Sequence, residues 1–271
     1  MDDIAIFGRK SFFITPDDSL IPEVYMEAFF SRGYECYIVK SDSVCSVQKK
    51  VSDIISLYAG SILVFNLDSE LQGSSWKSLI SNIQNQNGTI ICAIHKTQGE
   101  SRDAQIASEY KACGVRGGVL PLVSNGEKNL INISNLLFEN GACGRRTMVR
   151  ALCDAQSNIS FKTNNRTYCA KILDVNLQYF ACDFADNTID FEIYERIKGA
   201  SILINGMSFD SDVVLIMKGK RRGLNLGVFM FTKGDGTPDL ETALHHQLSK
   251  KLYQMVASQG KEVLHRAWTN A

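Results

Sequence analysis

Three arginines near the middle of the chain, Arg145, Arg146 and Arg150, have the side-chain type and spacing to hold an anion. A guanidinium is planar, stays charged, and offers paired N–H donors that match phosphate oxygens. These arginines follow a glycine-punctuated stretch, Glu139-Asn140-Gly141-Ala142-Cys143-Gly144, and precede a run of strand-type sequence. Residues 141–150 therefore read as a flexible basic hinge between two differently patterned halves. A solvated basic linker would carry the same residues. The pattern that follows the arginines favours a clamp for an anionic ligand.

Other chemistry finds little support. The eight cysteines are scattered and form no C-x-x-C pair, so zinc and thiol–disulfide exchange have no motif; most read as small buried apolar residues. No G-x-x-x-x-G-K-[ST] loop is present, and no G-x-G-x-x-G follows the first strand. His95 ends a predicted strand beside Lys96 and reads as a surface residue. No nucleophile–histidine grouping is visible, so the chain reads as a non-enzyme without a cofactor or metal. Lysine plus arginine equals aspartate plus glutamate at 29 each, which argues against a general nucleic-acid binder. No apolar run approaches the ~20 residues that span a bilayer, and the acidic start Met1-Asp2-Asp3 is unlike a signal peptide. The expectation is a cytoplasmic protein that inserts in no membrane and binds no nucleic acid.

The elements that must position the arginines come in two patterns. Residues 1–140 alternate short apolar runs with helical periodicity. Predicted strands cover 11–15, 35–40, 61–65, 89–94 and 118–123. Predicted helices cover 21–32, 47–58, 76–84, 102–112 and 127–140. Five strands separated by helices imply a doubly wound parallel α/β sheet. The pattern resembles the receiver domain of response regulators, or a flavodoxin-like fold more broadly. That resemblance implies acidic residues after the first strand, a phosphoacceptor aspartate after the third, and a lysine after the fifth. Asp17 and Asp18 match the acidic pair. Asn66 stands where the acceptor would be, with Asp68 two residues on, and the fifth strand carries Pro121 and Leu122 and no lysine nearby. The reading is a receiver-like scaffold without phosphotransfer.

From residue 151 the chain is β-rich. Strand-type runs cover 151–161, 166–185, 200–204, 212–218 and 224–232. The turn Thr163-Asn164-Asn165 and the basic tip at residues 218–223 lie among them. A final helix is predicted with Thr237 as N-cap, Pro238 at its first position, and an apolar stripe of Leu240, Ala243, Leu244, Leu248, Leu252, Met255 and Val256. An arginine pair, R-x-x-x-R, an antiparallel barrel and a C-terminal helix together resemble a PilZ domain over residues 141–258. Arg146 and Arg150 match the family's first motif, with Arg145 at its preceding basic position. Asp174 matches the start of the second motif, [DN]-x-S-x-x-G, where Asn176 replaces serine and Tyr179 replaces glycine.

The resemblance implies a six-stranded barrel that binds cyclic di-GMP. Arg145, Arg146 and Arg150 would meet phosphates or guanine edges, and Asp174 would accept from guanine N–H groups. Asn176 would replace the serine hydroxyl, and Tyr179 would either fill the pocket or stack on a base. The implied organisation is a receiver-like domain at 1–140, a hinge at 141–150, and a barrel domain at 151–271. The implied function is an effector in which cyclic di-GMP resets interdomain orientation and a protein partner, in motility regulation, receives the output. A ligand-independent adaptor is the alternative.

Overall fold

The computed structural model describes residues 3–185, 189–221 and 223–269. The chain divides into two compact units, Met1–Val149 with Ala257–Ala271, and Arg150–Val256.

In the first unit the strands are β1 (Ser11–Ile14), β2 (Cys36–Val39), β3 (Ile62–Asn66), β4 (Ile90–Lys96) and β5 (Gly118–Leu122), all parallel in the order 2-1-3-4-5. This is the doubly wound, flavodoxin-like order. β3 is buried at every position, as expected of a parallel strand covered on both faces. The helices are α1 (Asp3–Phe7), α2 (Val24–Ser31), α3 (Val47–Leu57), α4 (Trp76–Ile83), α5 (Glu100–Ala112) and α6 (Gly126–Glu139). Small polar residues start three of them. The side chains of Ser46, Ser75 and Asn125 each accept from the backbone N–H three residues on, which satisfies a donor the helix itself cannot. One hydrophobic core joins Phe12, Ile14, Val51, Ile54, Leu63, Phe65 and Ile80.

The second unit holds β6 (Ala151–Leu152), β7 (Asn158–Thr163), β8 (Arg166–Val175), β9 (Tyr179–Asp183), β10 (Arg196–Ile204), β11 (Met207–Arg221) and β12 (Leu224–Thr232). They form one antiparallel sheet, order 6-8-7-10-11-12-9, which closes into a ring because β9 also pairs with β8. The count is seven rather than six, because the run 151–161 yields both the two-residue β6 and β7. The run 166–185 likewise splits into β8 and β9. Asn164 and Asn165, both at positive φ, make the two-residue turn joining β7 to β8. The interior is aromatic: Phe161, Phe180, Phe184, Phe191, Phe229 and Phe231 are buried, with ring centroids 4.9–6.4 Å apart.

The last helix, α7 (Thr242–Thr269), starts four residues later than the sequence predicts. Thr237 is no cap. The Asp235 carboxylate takes its N–H at 2.8 Å, and Lys233 pairs with Asp239 at 2.9 Å, so 233–239 folds as a turn that competes with helix formation. Leu248 and Leu252 are fully buried as expected, whereas Ala243 is exposed.

The tail of α7 belongs to the first unit. Leu264 is buried in that unit's core. Gly260 lies so close to Tyr37 of β2 that any side chain there would overlap the ring. The Trp268 ring lies 4.8 Å from Nζ of the fully buried Lys50, which also donates to the Lys40 carbonyl at 2.8 Å and pairs with Asp42 at 2.6 Å. The expected division at 1–140, 141–150 and 151–271 differs here, and also at 141–149, which joins the first unit. No helix among the described residues is long and apolar enough to cross a membrane.

Candidate functional site

β8 would by strict alternation turn Ile172 and Asp174 to the same face. A bulge between these residues prevents it. Ile172 is fully buried inside the ring, while Asp174, beyond the bulge, pairs with Ala181 and turns outward. Bulges re-aim side chains in this way. Outside the ring, one cross-strand row runs Leu152, Asp174, Ala181, Val228, Met217. The next row runs Tyr179, Met230, Val214. The inward row between them, Val175, Phe180, Phe229, Leu215, is buried throughout. The second row continues across β10 to Arg196, which binds Asp212 at 2.7 Å, so an apolar stretch of this outer face lies between one carboxylate, Asp174, and one guanidinium.

Arg150 completes the carboxylate. Its Nη1 donates to Asp174 Oδ1 at 2.9 Å, with about a third of the arginine side chain and a quarter of the aspartate exposed. Arg150 Nε is buried without a hydrogen-bond partner. The pair is therefore preorganised, because a charge-assisted bond fixes a long side chain that would otherwise wander. The remaining guanidinium donors suit a phosphate oxygen or the O6/N7 edge of guanine. Asp174 suits the N1–H and N2–H donors of guanine.

Asn176 and Tyr179 frame the turn joining β8 to β9. Asn176 is buried, and its Oδ1 accepts from the backbone N–H groups of Gln178 (2.8 Å) and Tyr179 (2.7 Å). Its own N–H donates to the Tyr179 carbonyl at 2.8 Å. Its side-chain oxygen, the equivalent of the serine hydroxyl oxygen, is thus committed to the turn. Tyr179 is half-buried and is not among the residues at positive φ. The backbone here does not need glycine, so the tyrosine changes only what fills the space.

Arg145 and Arg146 belong to the first unit. The backbone N–H of Arg145 donates to Ala5 (3.1 Å) and that of Arg146 to Ile6 (2.9 Å). Arg9 N–H donates to the Gly141 carbonyl at 2.9 Å. The Arg146 guanidinium lies over the Phe7 ring at 4.6 Å, a cation–π contact. Gly144 packs directly on the Gly8 backbone. The expected flexible hinge is therefore pinned along the N-terminal segment, an arrangement that follows from α1, which the sequence reading did not include.

At the carboxyl ends of β1 and β3, where an open α/β sheet ordinarily receives its ligand, the residues bind one another. Asn66 is buried; its Nδ2 donates to the Thr15 carbonyl at 2.9 Å, and its Oδ1 accepts from Asp68 N–H at 3.2 Å. Thr15 and Ser69 hydroxyls share a 2.6 Å bond. Lys96, at the end of β4, pairs with Asp17 at 2.9 Å and donates its N–H to Asp68 at 2.6 Å. The Ser19 hydroxyl and the Lys96 ammonium hold the Asp17 carboxyl down to about 2 from its ordinary 3.8. Sequence reading missed Lys96, because the lysine was sought after β5.

Two further expectations need correction. His95 is buried, not a surface residue: α5 covers its face of the sheet, with Asp103 Oδ1 3.8 Å from His95 Nδ1. Of the eight cysteines only Cys36, Cys92 and Cys182 are buried, and Cys169 is exposed. Burial pushes the Cys153 thiol up to about 12, which makes it a poor nucleophile. Among the described residues no group of three potential ligands is placed to hold a metal ion.

No protein-family profile and no curated protein matches this chain. Among solved structures it is similar to the PilZ domain of YcgR from Escherichia coli with c-di-GMP, at 14% identity and TM-score 0.37. That match covers 44% of this chain and 97% of that one. It is also similar to the K. pneumonia MrkH–c-di-GMP complex at 12% identity and TM-score 0.35, covering 42% of this chain and 52% of that one. A signal receiver domain from Vibrio parahaemolyticus matches at 14% identity and TM-score 0.34, covering 49% of this chain and 92% of that one. The chain spans about half the length of the MrkH chain it matches. The first unit is a five-stranded parallel α/β unit and the second a closed antiparallel ring.

Proposed function

We propose that the chain is a non-enzymatic signalling effector whose second unit binds cyclic di-GMP on the outer face of its ring. The observation that carries this reading is the Arg150–Asp174 pair, set at 2.9 Å into an apolar face that also holds Tyr179 and Met230. One guanine stacks on the tyrosine, the carboxylate takes its N–H donors, and the guanidinium takes a phosphate or a second guanine edge. Arg145 and Arg146 are proposed as further phosphate ligands. Ligand binding is proposed to change the orientation of the two units, and an unidentified protein partner reads that change.

Calorimetry with cyclic di-GMP on the full chain tests the site. Arg150→Ala removes charge-assisted bonds worth about 1.5–3 kcal/mol and should weaken binding about tenfold to a hundredfold. Tyr179→Gly separates stacking from obstruction. A stacked ring makes glycine weaken binding by about 1–3 kcal/mol, whereas an obstructing ring makes it strengthen binding. Small-angle scattering with and without saturating ligand reads the orientation, and identical curves would remove that part of the proposal.

Two observations favour the second reading, a ligand-independent adaptor. The Asn176 oxygen is committed to its own turn, and the Arg146 guanidinium lies against Phe7. If neither the natural chain nor Tyr179→Gly binds at millimolar ligand while folded, the adaptor reading stands.

A further inference from the structure

The β11–β12 ladder outruns the strands that flank it. The pairing of β11 with β10 ends at Arg196–Val214, and the pairing of β12 with β9 ends at Leu226–Asp183. The β11–β12 ladder continues past both through Lys220–Asn225 to Arg221–Leu224, with the Asn225 carbonyl accepting from Phe184 N–H at 2.9 Å. Among the described residues no third strand pairs with these last two rungs, and a two-stranded ribbon is marginal in water on its own.

Strand alternation sorts the ribbon's side chains. One face carries Met217, Leu226 and Leu224, with Arg221 at its rim; Lys218 and Lys220 occupy the other. Met217 is 50% and Leu224 37% exposed. Lys218 folds back to donate to the Phe191 carbonyl at 2.8 Å, whereas Lys220 and Arg221 are exposed. The sequence holds no acid between Asp212 and Asp235, yet has cations at 218, 220, 221 and 222. Arg222 lies outside the described residues. The nearest acid by register, Asp183, accepts from the N–H groups of Ala185 (3.0 Å) and Asn225 (3.1 Å).

We propose that this ribbon docks the protein on an anionic lipid surface. Met217 and Leu224 enter the boundary between headgroups and acyl chains, while Lys220 and Arg221 lie against lipid phosphates. The side chains themselves favour lipid over a macromolecular partner. The tip offers exposed aliphatic groups and a run of cations with no acid between Asp212 and Asp235, but no tyrosine or tryptophan, the aromatic anchors of a protein interface. A nucleic acid would use the cations and leave the exposed Met217 and Leu224 without a role. The proposal concerns docking on a surface; it shares Met217 with the apolar stretch described above, and the three positions that test it, Lys220, Arg221 and Leu224, lie outside the proposed ligand site.

Co-sedimentation of the full chain with vesicles tests it. Vesicles of phosphatidylcholine with one-third phosphatidylglycerol should bind the protein, with affinity falling as salt rises, and vesicles of phosphatidylcholine alone should not. Lys220→Glu and Arg221→Glu should each lower the partition coefficient about fivefold or more. Leu224→Ser should lower it about fivefold with no change in charge. All three positions are exposed, so the melting temperature should not move. Binding that is absent, equal on neutral vesicles, or unchanged in the three variants overturns the proposal. So does a mixed-sequence DNA duplex that binds through the same residues when anionic vesicles do not.

Discussion

At Asn176 the side chain serves the backbone before it can serve a ligand. Its oxygen accepts two N–H groups at 2.7 and 2.8 Å, so Asn176→Ala leaves the two donors of a partly buried turn without their acceptor. Urea unfolding should show a loss of about 1–3 kcal/mol. Asn176→Ser should recover part of that loss, since a hydroxyl makes the same turn more weakly. Asp17 gives a second test at this scale. Its carboxyl is held at about 2 in the folded chain against an ordinary 3.8. Its contribution to stability is therefore complete above pH 3.8 and is lost as pH falls toward 2. Carbon-detected NMR titration should find Asp17 half-protonated near pH 2, and Lys96→Met should move it upward. Arg150 and Asp174 were both legible in the sequence as motif residues. Their 2.9 Å pairing was not, because it depends on a bulge in β8 that no local pattern announces.

At the scale of elements, the carboxyl ends of β1, β3 and β4 meet in a closed hydrogen-bond cluster rather than an open crevice. Asn66 is neutral and bonded on both sides, and Lys96 supplies a positive charge to Asp17. Acetyl phosphate with magnesium should leave the mass of the intact protein unchanged. A stable 80-dalton adduct on Asp68, roughly the mass of one phosphoryl group, would contradict this reading of the cluster. The tail of α7 gives the opposite case, an element whose role was invisible at its own position. Trp268→Ala removes an aromatic ring from above the buried Lys50. Thermal or urea unfolding should show a loss of about 2–4 kcal/mol. Lys50→Ala should be destabilising as well, since Asp42 then loses its 2.6 Å partner and the core gains a cavity.

For the whole molecule, the first unit is assembled from two distant stretches of chain, Met1–Val149 and Ala257–Ala271. A fragment ending at residue 149 should therefore melt at a markedly lower temperature than the same unit in the full chain, and calorimetry reads the difference. Equal melting temperatures would mean that Leu264 and Trp268 are dispensable to that core. The sequence by itself determined the class of each unit. Helical and strand periodicities are local properties, and the short alternation of strand and helix before residue 140 admits few architectures besides a parallel doubly wound sheet. The paired asparagines at 164 and 165 likewise fixed a hairpin turn from two residues alone. Only the tertiary structure decided that residues 141–149 lie along the N-terminal segment and that the end of α7 belongs to the first unit. It also decided that Asp174 faces out while Ile172 faces in. Each of these is set by contacts between residues far apart in the chain, or by a one-residue bulge whose effect appears only once the strands are paired.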